Sequence, residues 1–400
     1  MKKKLTVLML VLVMIVASLG TLAAFTGCTD TESEFKVGAI YINSKSDTSG
    51  YTYAHHNGIV KAMEQLGLDV AQLKIVDNVP EDYTKVTNAI DTLAGQGCNI
   101  IIGISFGYID AMADAAKKPE YSDIIFSHAT GFRSSLDELG EDEDPYTAAF
   151  NNYFGRIYQA RYLSGIAAGL KATQGAKIGY VSAYGTQYAE TCSGINAFAL
   201  GVQSVNPTAQ IIVSELGTWG DETKERQAAN ELISLGCEVI AQHCDSAQPQ
   251  MAAEEAGVYG CGYNSDMTAA APNAHLTAPI WNWDVYYKLA IGTAMNEPEN
   301  YMEKVGIYYG GLKEGFVDIS PLSKNCTEGT ADKIAQVKEL IINGEWDVFT
   351  DVKLSFDAEG KVVLTDSPLL KADGTPAGKV DDGVIKGSMN YFVKGVVVNE

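Results

Sequence analysis

Short apolar runs alternate with helix-like segments from residue 35 onward, and this alternation constrains the fold more than any other feature of the chain. Residues 36–42 (KVGAIYI), 73–76 and 99–105 (NIIIGIS) predict buried strands. The segments between them, such as 51–66, carry apolar side chains at helical spacing. Strands that alternate with helices at this spacing predict parallel βαβ units with right-handed crossovers.

The same pattern begins again in the second half of the chain. The segment KIGYV at 177–181 echoes KVGAI at 36–40, which lies 141 positions earlier. The segment LISLGCEVI at 232–240 echoes LAGQGCNII at 93–101, which lies 139 positions earlier. Two matches in the same order and at nearly the same offset indicate a duplicated unit. The sequence therefore predicts an α/β fold of two doubly wound, Rossmann-like lobes joined by a hinge, with a ligand in the cleft between them.

This prediction divides the chain into five parts. They are, in chain order, a signal peptide at 1–27, a tether at 28–34, an N-terminal α/β lobe at 35–157 with a return segment at about 305–345, a C-terminal α/β lobe at 158–304, and a turn-rich extension at 346–400. A small-residue helix at 158–171 would cross from one lobe to the other.

The first 28 residues have the pattern of an export signal. Lysines at positions 2–4 precede an apolar run that ends near residue 24, and Cys28 follows shortly after it. The pattern is similar to a bacterial lipoprotein signal, in which the cysteine is lipidated and becomes the mature N-terminus. Phe25 stands where such signals usually carry Leu, and an uncleaved membrane anchor is the alternative. Either interpretation places the body of the chain outside the cytoplasm.

The charge of the chain excludes one class of partner. Lys and Arg number 29 against 50 Asp and Glu, so the net charge is −21. A nucleic-acid-binding surface needs an excess of basic residues, so no nucleic acid is expected as a partner. The sequence contains no CxxC, P-loop, GxGxxG or HExxH pattern, and it therefore predicts neither a metal nor a cofactor.

Polar and aromatic residues follow the predicted strands of both units, at the edge where a ligand would bind. The candidate ligand-binding residues are Tyr51, Thr52, Phe106, His128, His243, Asp245, Asn264, Asp266, Trp281, Asn282 and Trp283. Aromatic rings beside Asn, Asp, His and Thr suit a flat heterocycle with hydrogen-bond donors and acceptors around its rim. No Arg or Lys stands among these residues, which argues against phosphorylated or strongly anionic ligands. The two tryptophans would share one face of a strand, so core packing is the alternative for one of them.

One motif suggests catalysis instead of binding. Gly103, Ser105 and Gly107 fit the GxSxG pattern of a nucleophile elbow, in the strand–helix context that the motif requires. The motif follows only the third predicted strand, and no HGGG-like oxyanion loop precedes it. An exported serine hydrolase that uses Ser105 is therefore the weaker hypothesis, and we expect no enzyme.

Several segments resemble the basic membrane protein (BMP) family. They are the lipoprotein signal, the helix start at 50–58, YLSGIAAG at 162–169, GINAF at 194–198 and QHCDS at 242–246. The family comprises substrate-binding lipoproteins of ABC importers that bind purine nucleosides or bases, and the resemblance spans about residues 35–345. It implies a type I periplasmic-binding-protein-like fold, a partner permease and ATPase, and membrane anchoring through the lipidated Cys28.

The resemblance also implies roles for individual residues. Tyr51 takes the stacking position of a family phenylalanine, and Thr52 replaces an asparagine that contacts the base. His128, Asn264 and Trp281 stand where nucleoside-binding members carry two aspartates and a lysine that hold the ribose. Their replacement puts ribose recognition in doubt, and the WNW segment resembles a subgroup that binds a free base such as adenine.

We therefore expect a membrane-anchored receptor that closes two lobes around a purine and presents it to an ABC permease, with a base such as adenine favoured over a nucleoside. Tyr51 and Trp283 are expected to stack on the base. The polar contacts are expected from Asp245, Asn264, Asn282, His243 and His128. The alternatives are another small ring ligand, such as a sugar or a riboflavin-like ring, and a sensor that passes its bound state to a membrane kinase.

Overall fold

A computed structural model describes residues 34–48, 50–131, 133, 135 and 146–399. The predicted export signal, Cys28 and nearly all of the tether lie outside the described residues. Within the described part of the chain, no helix is both long enough and apolar enough to cross a membrane.

The first lobe alternates strands with helices, as the apolar runs predict. Its elements are, in chain order, β1 (Val37–Ile40), α1 (Gly50–Gln65), β2 (Leu73–Val76), α2 (Tyr83–Gly95), β3 (Ile100–Gly103), α3 (Ile109–Ala116), β4 (Ile125–Ala129) and β5 (Phe150–Gly155). Strands β1, β3 and β4 are buried along their whole length, as in a parallel sheet with both faces covered. Helix α2 begins after Asp82, whose side chain accepts a hydrogen bond from the backbone N–H of Lys85 at 2.9 Å.

The second lobe follows a crossing helix and repeats this plan. Its elements are, in chain order, α4 (Ile157–Lys171), β6 (Lys177–Ser182), α5 (Ala189–Val205), β7 (Gln210–Glu215), α6 (Glu222–Ser234), β8 (Cys237–His243), α7 (Gln248–Ala256), β9 (Tyr259–Cys261) and β10 (His275–Thr277). Helix α6 is capped as α2 is, because Asp221 accepts from the backbone N–H of Lys224 at 3.0 Å. The two units therefore share a local folding signal as well as a pattern of strands.

The rest of the chain returns to both lobes. Its elements are, in chain order, β11 (Pro279–Trp281), α8 (Trp283–Asn296), α9 (Tyr301–Lys304), β12 (Tyr308–Gly310), β13 (Val317–Ile319), α10 (Thr330–Asn343), β14 (Val352–Phe356), β15 (Val362–Asp366), α11 (Asp382–Gly387) and β16 (Val396–Val398). Helix α8 packs closely on α1, where a Cβ added to Gly58 would lie 2.4 Å from the Cβ of Trp283. The chain is therefore back at the first lobe by α8. At its far end, β16 adds an edge strand to the second sheet by pairing with β7.

Both sheets are parallel, and five strands of each share one order, with β12 added beyond β5 in the first sheet and β16 added beyond β7 in the second. The first sheet runs β12-β5-β4-β3-β1-β2, and the second runs β10-β9-β8-β6-β7-β16. In each lobe the first strand lies between the second and the third, so the strand order reverses there. The predicted class, an α/β fold with two doubly wound lobes, is confirmed. A ligand crevice is expected at the carboxyl ends of the strands, beside β1 in one lobe and β6 in the other.

Candidate ligand-binding site

The two lobes meet at the start of α1. Gly50 begins this helix with a φ of +81°, a conformation that favours glycine. A Cβ on Gly50 would lie 2.9 Å from the backbone carbonyl oxygen of Asp245, which follows β8 in the second lobe. The cleft is therefore closed here so tightly that one methyl group would obstruct the approach of the lobes.

Aromatic rings form the first-lobe side of the cleft. The imidazole of His55 stacks on the indole of Trp283, with ring centroids 3.8 Å apart and planes inclined by 25°. Trp281 stacks on the same indole at 4.7 Å and 15°, and two rings this close must cover its opposite faces. Tyr51 meets His55 edge-on at 4.3 Å. Tyr51 also meets the indole of Trp283 edge-on at 6.4 Å, and no described aromatic ring stacks parallel to it.

The second-lobe side combines rings with polar groups at the ends of β8 and β9. His243 ends β8, and its ring lies 4.7 Å from Tyr263 and 5.6 Å from Trp219. Asn264 donates from Nδ2 to Oδ1 of Asp245 at 3.4 Å. Asn264 also has a φ of +66°, which is uncommon for a residue with a side chain and is often found at functional sites.

A buried arginine lies beneath these groups. Arg161, on the crossing helix α4, is 1% exposed. Its Nη1 donates to the hydroxyl of Tyr180 and to the backbone carbonyl of Gln242, both at 2.9 Å. Its guanidinium lies 4.1 Å above the ring of Tyr263. The sequence analysis predicted no basic residue in the site. The structure, however, places Arg161 beneath the groups of the second lobe.

Burial sets the charge states at the cleft. It raises the pKa of Glu190, in the first turn of α5, to about 7, although Arg161 opposes the shift. Burial and the carboxylates of Glu225 and Glu190 raise the pKa of Asp245 to about 7. Burial and the charge of Arg161 lower the pKa of His243 well below its usual value, so its imidazole is neutral. Near neutral pH these groups offer both donors and acceptors.

Several buried polar atoms at the cleft have no hydrogen-bond partner among the described residues. They are, from the first-lobe side, Thr52 Oγ1, His55 Nε2 and Trp283 Nε1, and from the second-lobe side, Arg161 Nε and Nη2, both ring nitrogens of His243, and Asn264 Oδ1. A buried donor or acceptor without a partner costs roughly 1–3 kcal/mol. A site for a polar ligand needs donors and acceptors that are not already paired within the protein. The cleft carries such atoms from both lobes.

Four of the predicted site residues lie apart from this cluster. Phe106 is 49% exposed, and Asp266 accepts from the backbone and the hydroxyl of Thr268 on the surface. Asn282 donates from Nδ2 to the backbone carbonyl of Gly315 at 2.8 Å. The structure brings together Tyr51, Thr52, His243, Asp245, Asn264, Trp281 and Trp283.

His128 is the fourth, and the alternation of side chains along β4 explains its position. Its neighbour Ser127 contacts the hydroxyl of Tyr286 on α8 at 2.7 Å, so His128 points to the opposite face of the sheet. There its Nε2 lies 2.9 Å from the carbonyl oxygen of Ser105. Burial lowers the pKa of His128 to about 4, so the ring is neutral.

Ser105 has a partner unlike that of a catalytic serine. Its hydroxyl donates to Oε1 of Glu81 at 2.6 Å, and the same oxygen accepts from the backbone N–H of Gly107. His128 reaches only the backbone of Ser105, not its hydroxyl. The GxSxG segment is thus held as a turn by a carboxylate.

Among the described residues no group of His, Cys, Asp and Glu could hold a metal ion.

The site residues that sequence reasoning missed are Arg161, Glu190, Tyr263 and His55. Arg161 and Glu190 lie on helices, and the sequence analysis considered only residues at the ends of strands. A signal for Arg161 was present, because a cation within a helix of small and apolar residues (YQARYLSGIAAG) needs a buried partner.

Comparison with known proteins places this cleft in context. Residues 35–351 match the family model described as Bmp, ABC transporter substrate-binding protein PnrA-like. The chain is similar to a purine-binding protein of Brucella abortus, with 32% identity over 94% of this chain and 98% of the relative. It is also similar to a putative ABC transporter glucose-binding protein of Haloferax volcanii, with 34% identity over 78% of this chain and 73% of the relative.

A solved structure shows the same fold. The ABC transporter solute-binding protein from Conexibacter woesei superimposes with a TM-score of 0.60 at 19% identity, covering 78% of this chain and 98% of that one. A likeness at this level of identity shows the fold alone.

Proposed function

This chain belongs to the Bmp family of PnrA-like ABC transporter substrate-binding proteins, and from this premise we propose that it binds a purine base in the cleft between its lobes. Members of such a family bind a small molecule outside the cytoplasm and deliver it to a permease and an ATPase. The family is one of solute-binding proteins and not of enzymes.

The observation that carries the proposal is the set of unpaired polar atoms at the cleft. The donors Trp283 Nε1 and Arg161 Nε and Nη2 and the acceptor Asn264 Oδ1 are all buried and without a partner among the described residues. A purine is flat and carries alternating donors and acceptors around its rim, so it can pair with such a set. In this proposal the ring of Tyr51 stacks on the base, as aromatic side chains do in other base-binding sites. The purine-binding relative in Brucella abortus supports the same class of ligand.

Two features support a base over a nucleoside. Two of the positions to which the family resemblance assigns ribose contacts carry other residues here. Trp281 Nε1 donates to the hydroxyl of Tyr263 at 3.2 Å, and His128 faces the other side of the sheet. Trp281 and His128 therefore supply no group that would pair with the ribose hydroxyls. The second feature is the close approach of the lobes at Gly50 and Asp245, which limits the space between the lobes at that point.

We further propose that the protein is exported and anchored through a lipid on Cys28. The basic start, the apolar run and the cysteine that follows support this proposal. Labelling cells with a radioactive fatty acid tests it. The native chain should incorporate label, and Cys28→Ser should not.

A sugar is the second candidate ligand, because one relative is a putative glucose-binding protein. The carboxyl groups of Asp245 and Glu190 could also accept hydrogen bonds from sugar hydroxyls, and the neighbouring aromatic rings could stack on a pyranose. A purine offers ring nitrogens to the donors Trp283 Nε1 and Arg161, whereas a sugar offers only its hydroxyl and ring oxygens.

Thermal unfolding of the purified mature chain separates these ligands. A ligand at a hundred times its dissociation constant adds about 2.7 kcal/mol to the stability and raises the melting midpoint. We expect a rise with purine bases and none with the matching nucleosides or with glucose. A rise with glucose alone would replace the purine proposal by the sugar candidate, and a rise with nucleosides alone would contradict the preference for a free base.

A further inference from the structure

Arg161 presents one complete edge of its guanidinium without a partner. Nη1 is occupied by Tyr180 and Gln242, whereas Nε and Nη2 have no hydrogen-bond partner among the described residues. Nε–H and Nη2–H point in nearly the same direction, which is the fork that binds two adjacent acceptor atoms. A buried cation is costly unless it is hydrogen-bonded, so this edge requires a partner that the chain does not supply.

The fork lies against α5 at Gly194, where a side chain would crowd it. A Cβ on Gly194 would lie 3.0 Å from Nε of Arg161 and 3.0 Å from Nδ1 of His243. These two unpaired nitrogens therefore flank a single point next to α5. Nε2 of His243 lies 3.6 Å from Oε1 of Glu190, one turn before Gly194 on the same helix. The arginine edge, the imidazole and the carboxyl group together form one polar end of the cleft.

We propose that Arg161 is a specificity-determining residue, whose Nε and Nη2 donate to two adjacent acceptor atoms on one edge of the bound base. The inference rests on the proposed purine function and names the contact that recognises the ligand. A free purine offers such a pair in two ways: O6 with N7 in a 6-oxopurine, as arginine contacts guanine in DNA, or N3 with N9 in a base protonated at N7. A nucleoside lacks the N9 acceptor, because N9 carries the sugar.

Calorimetric titration of the native chain and of Arg161 variants with adenine and hypoxanthine tests the contact. Arg161→Met removes the fork, and Arg161→Lys keeps the charge but cannot donate bidentately. Both should weaken binding by on the order of 10- to 100-fold, the range of a lost charged hydrogen bond. The matched control is Tyr180→Phe, which removes a partner of Nη1 and leaves the fork intact, so its affinity should stay near that of the native chain.

Gly194→Ala provides a second test of the Arg161 contact in case the arginine variants fail to fold. Alanine is favoured within a helix, and its methyl group would fill the space beside the fork, so we expect a folded protein with weakened binding. Deaza analogues then identify the edge. Loss of affinity with 7-deazahypoxanthine indicates O6 and N7, and loss with 3-deazaadenine indicates N3 and N9.

The results of these experiments distinguish the role of Arg161 from the proposed purine-binding function. A purine that binds the native chain and both arginine variants equally would overturn the role of Arg161 alone. Equal losses in Tyr180→Phe and the arginine variants would show a structural role and also overturn it, as would full affinity for both deaza analogues. Absence of purine binding to the native chain would overturn the proposed function together with this inference.

Discussion

The imidazole of His55 lies flat on the indole of Trp283, with 3.8 Å between the ring centroids. Trp281 covers the other face of the indole, and Trp283 is 1% exposed. In this closed arrangement Trp283 therefore offers a ligand its Nε1 and not a stacking face. The side chain remains part of the candidate site, but the physical basis of its contribution is a hydrogen bond.

Trp283→Phe tests this role directly. Phenylalanine keeps a ring between His55 and Trp281 but removes the unpaired Nε1 donor. We expect purine affinity to fall about 10-fold, the effect of one buried hydrogen bond. The matched control is Trp281→Phe, whose lost Nε1 donates within the protein to Tyr263. That variant should lower the melting midpoint and leave the affinity nearly unchanged. Equal affinities for Trp283→Phe and the native chain would remove Nε1 from the site.

Thr52→Val separates binding from stability. The Thr52 hydroxyl is buried and has no hydrogen-bond partner among the described residues, and valine has nearly the same shape. The ligand-free protein should therefore be as stable as the native chain or more so, while purine affinity falls between about 2- and 10-fold. Thr191→Val is the control, because the Thr191 hydroxyl donates to the carbonyl of Gly185 at 2.9 Å. It should lose stability instead. A destabilised Thr52→Val with unchanged affinity would contradict the account.

Gly50→Ala tests the closure of the lobes. The added methyl group would lie 2.9 Å from the carbonyl oxygen of Asp245, so it should obstruct the closed form and weaken ligand binding. It also places a side chain at positive φ, which costs roughly 1 kcal/mol on its own. Gly67→Ala isolates that cost, because Gly67 has a φ of +75° and a Cβ there would meet nothing within 4 Å. We expect similar melting midpoints for the two variants but a loss of affinity only in Gly50→Ala. Equal affinities would show that closure tolerates the methyl group.

The partly buried carboxyl group of Glu190 predicts a dependence of stability on pH. Its pKa is raised from the ordinary 4.5 to about 7 in the folded chain. Between these two values the folded state keeps a proton that the unfolded state has lost, so this group's contribution to stability falls as the pH rises. Glutamine cannot ionise. The melting midpoint of Glu190→Gln relative to the native chain should therefore rise from pH 4.5 to above pH 7 and then level off. A constant difference for Glu190→Gln across this range would contradict the raised pKa.

The fold was accessible from the sequence because the strands of parallel sheets are buried on both faces. Such strands appear as continuous apolar runs, and β1, β3, β6 and β8 were placed on this basis. The rule that ligands bind at the carboxyl ends of strands also brought Tyr51 and Asp245 to the same cleft, although they come from different lobes.

The remaining site residues depend on information that strand ends do not carry. His128 and Ser127 are neighbours on β4, and only the packing of α8 decides which of the two faces the aromatic cluster. Arg161 acts from a helix that passes beneath the strand ends, so its role depends on how α4 docks against Tyr180 and Tyr263. His55 likewise stacks on Trp283 because α1 packs closely on α8 at Gly58.

A crystal structure of the mature chain grown with a purine base tests the central claim most directly. We predict ring density in the cleft between the lobes, stacked on Tyr51 and within hydrogen-bond distance of Trp283 Nε1, Asn264 Oδ1 and the free edge of Arg161. Density for the base elsewhere would contradict the account, for example in the cavity of about 220 Å³ that Tyr162, Trp346 and Leu369 line beneath the C-terminal segment. A purine found only there, with the cleft side chains still unpaired, would show that the interlobe cleft is not the purine site.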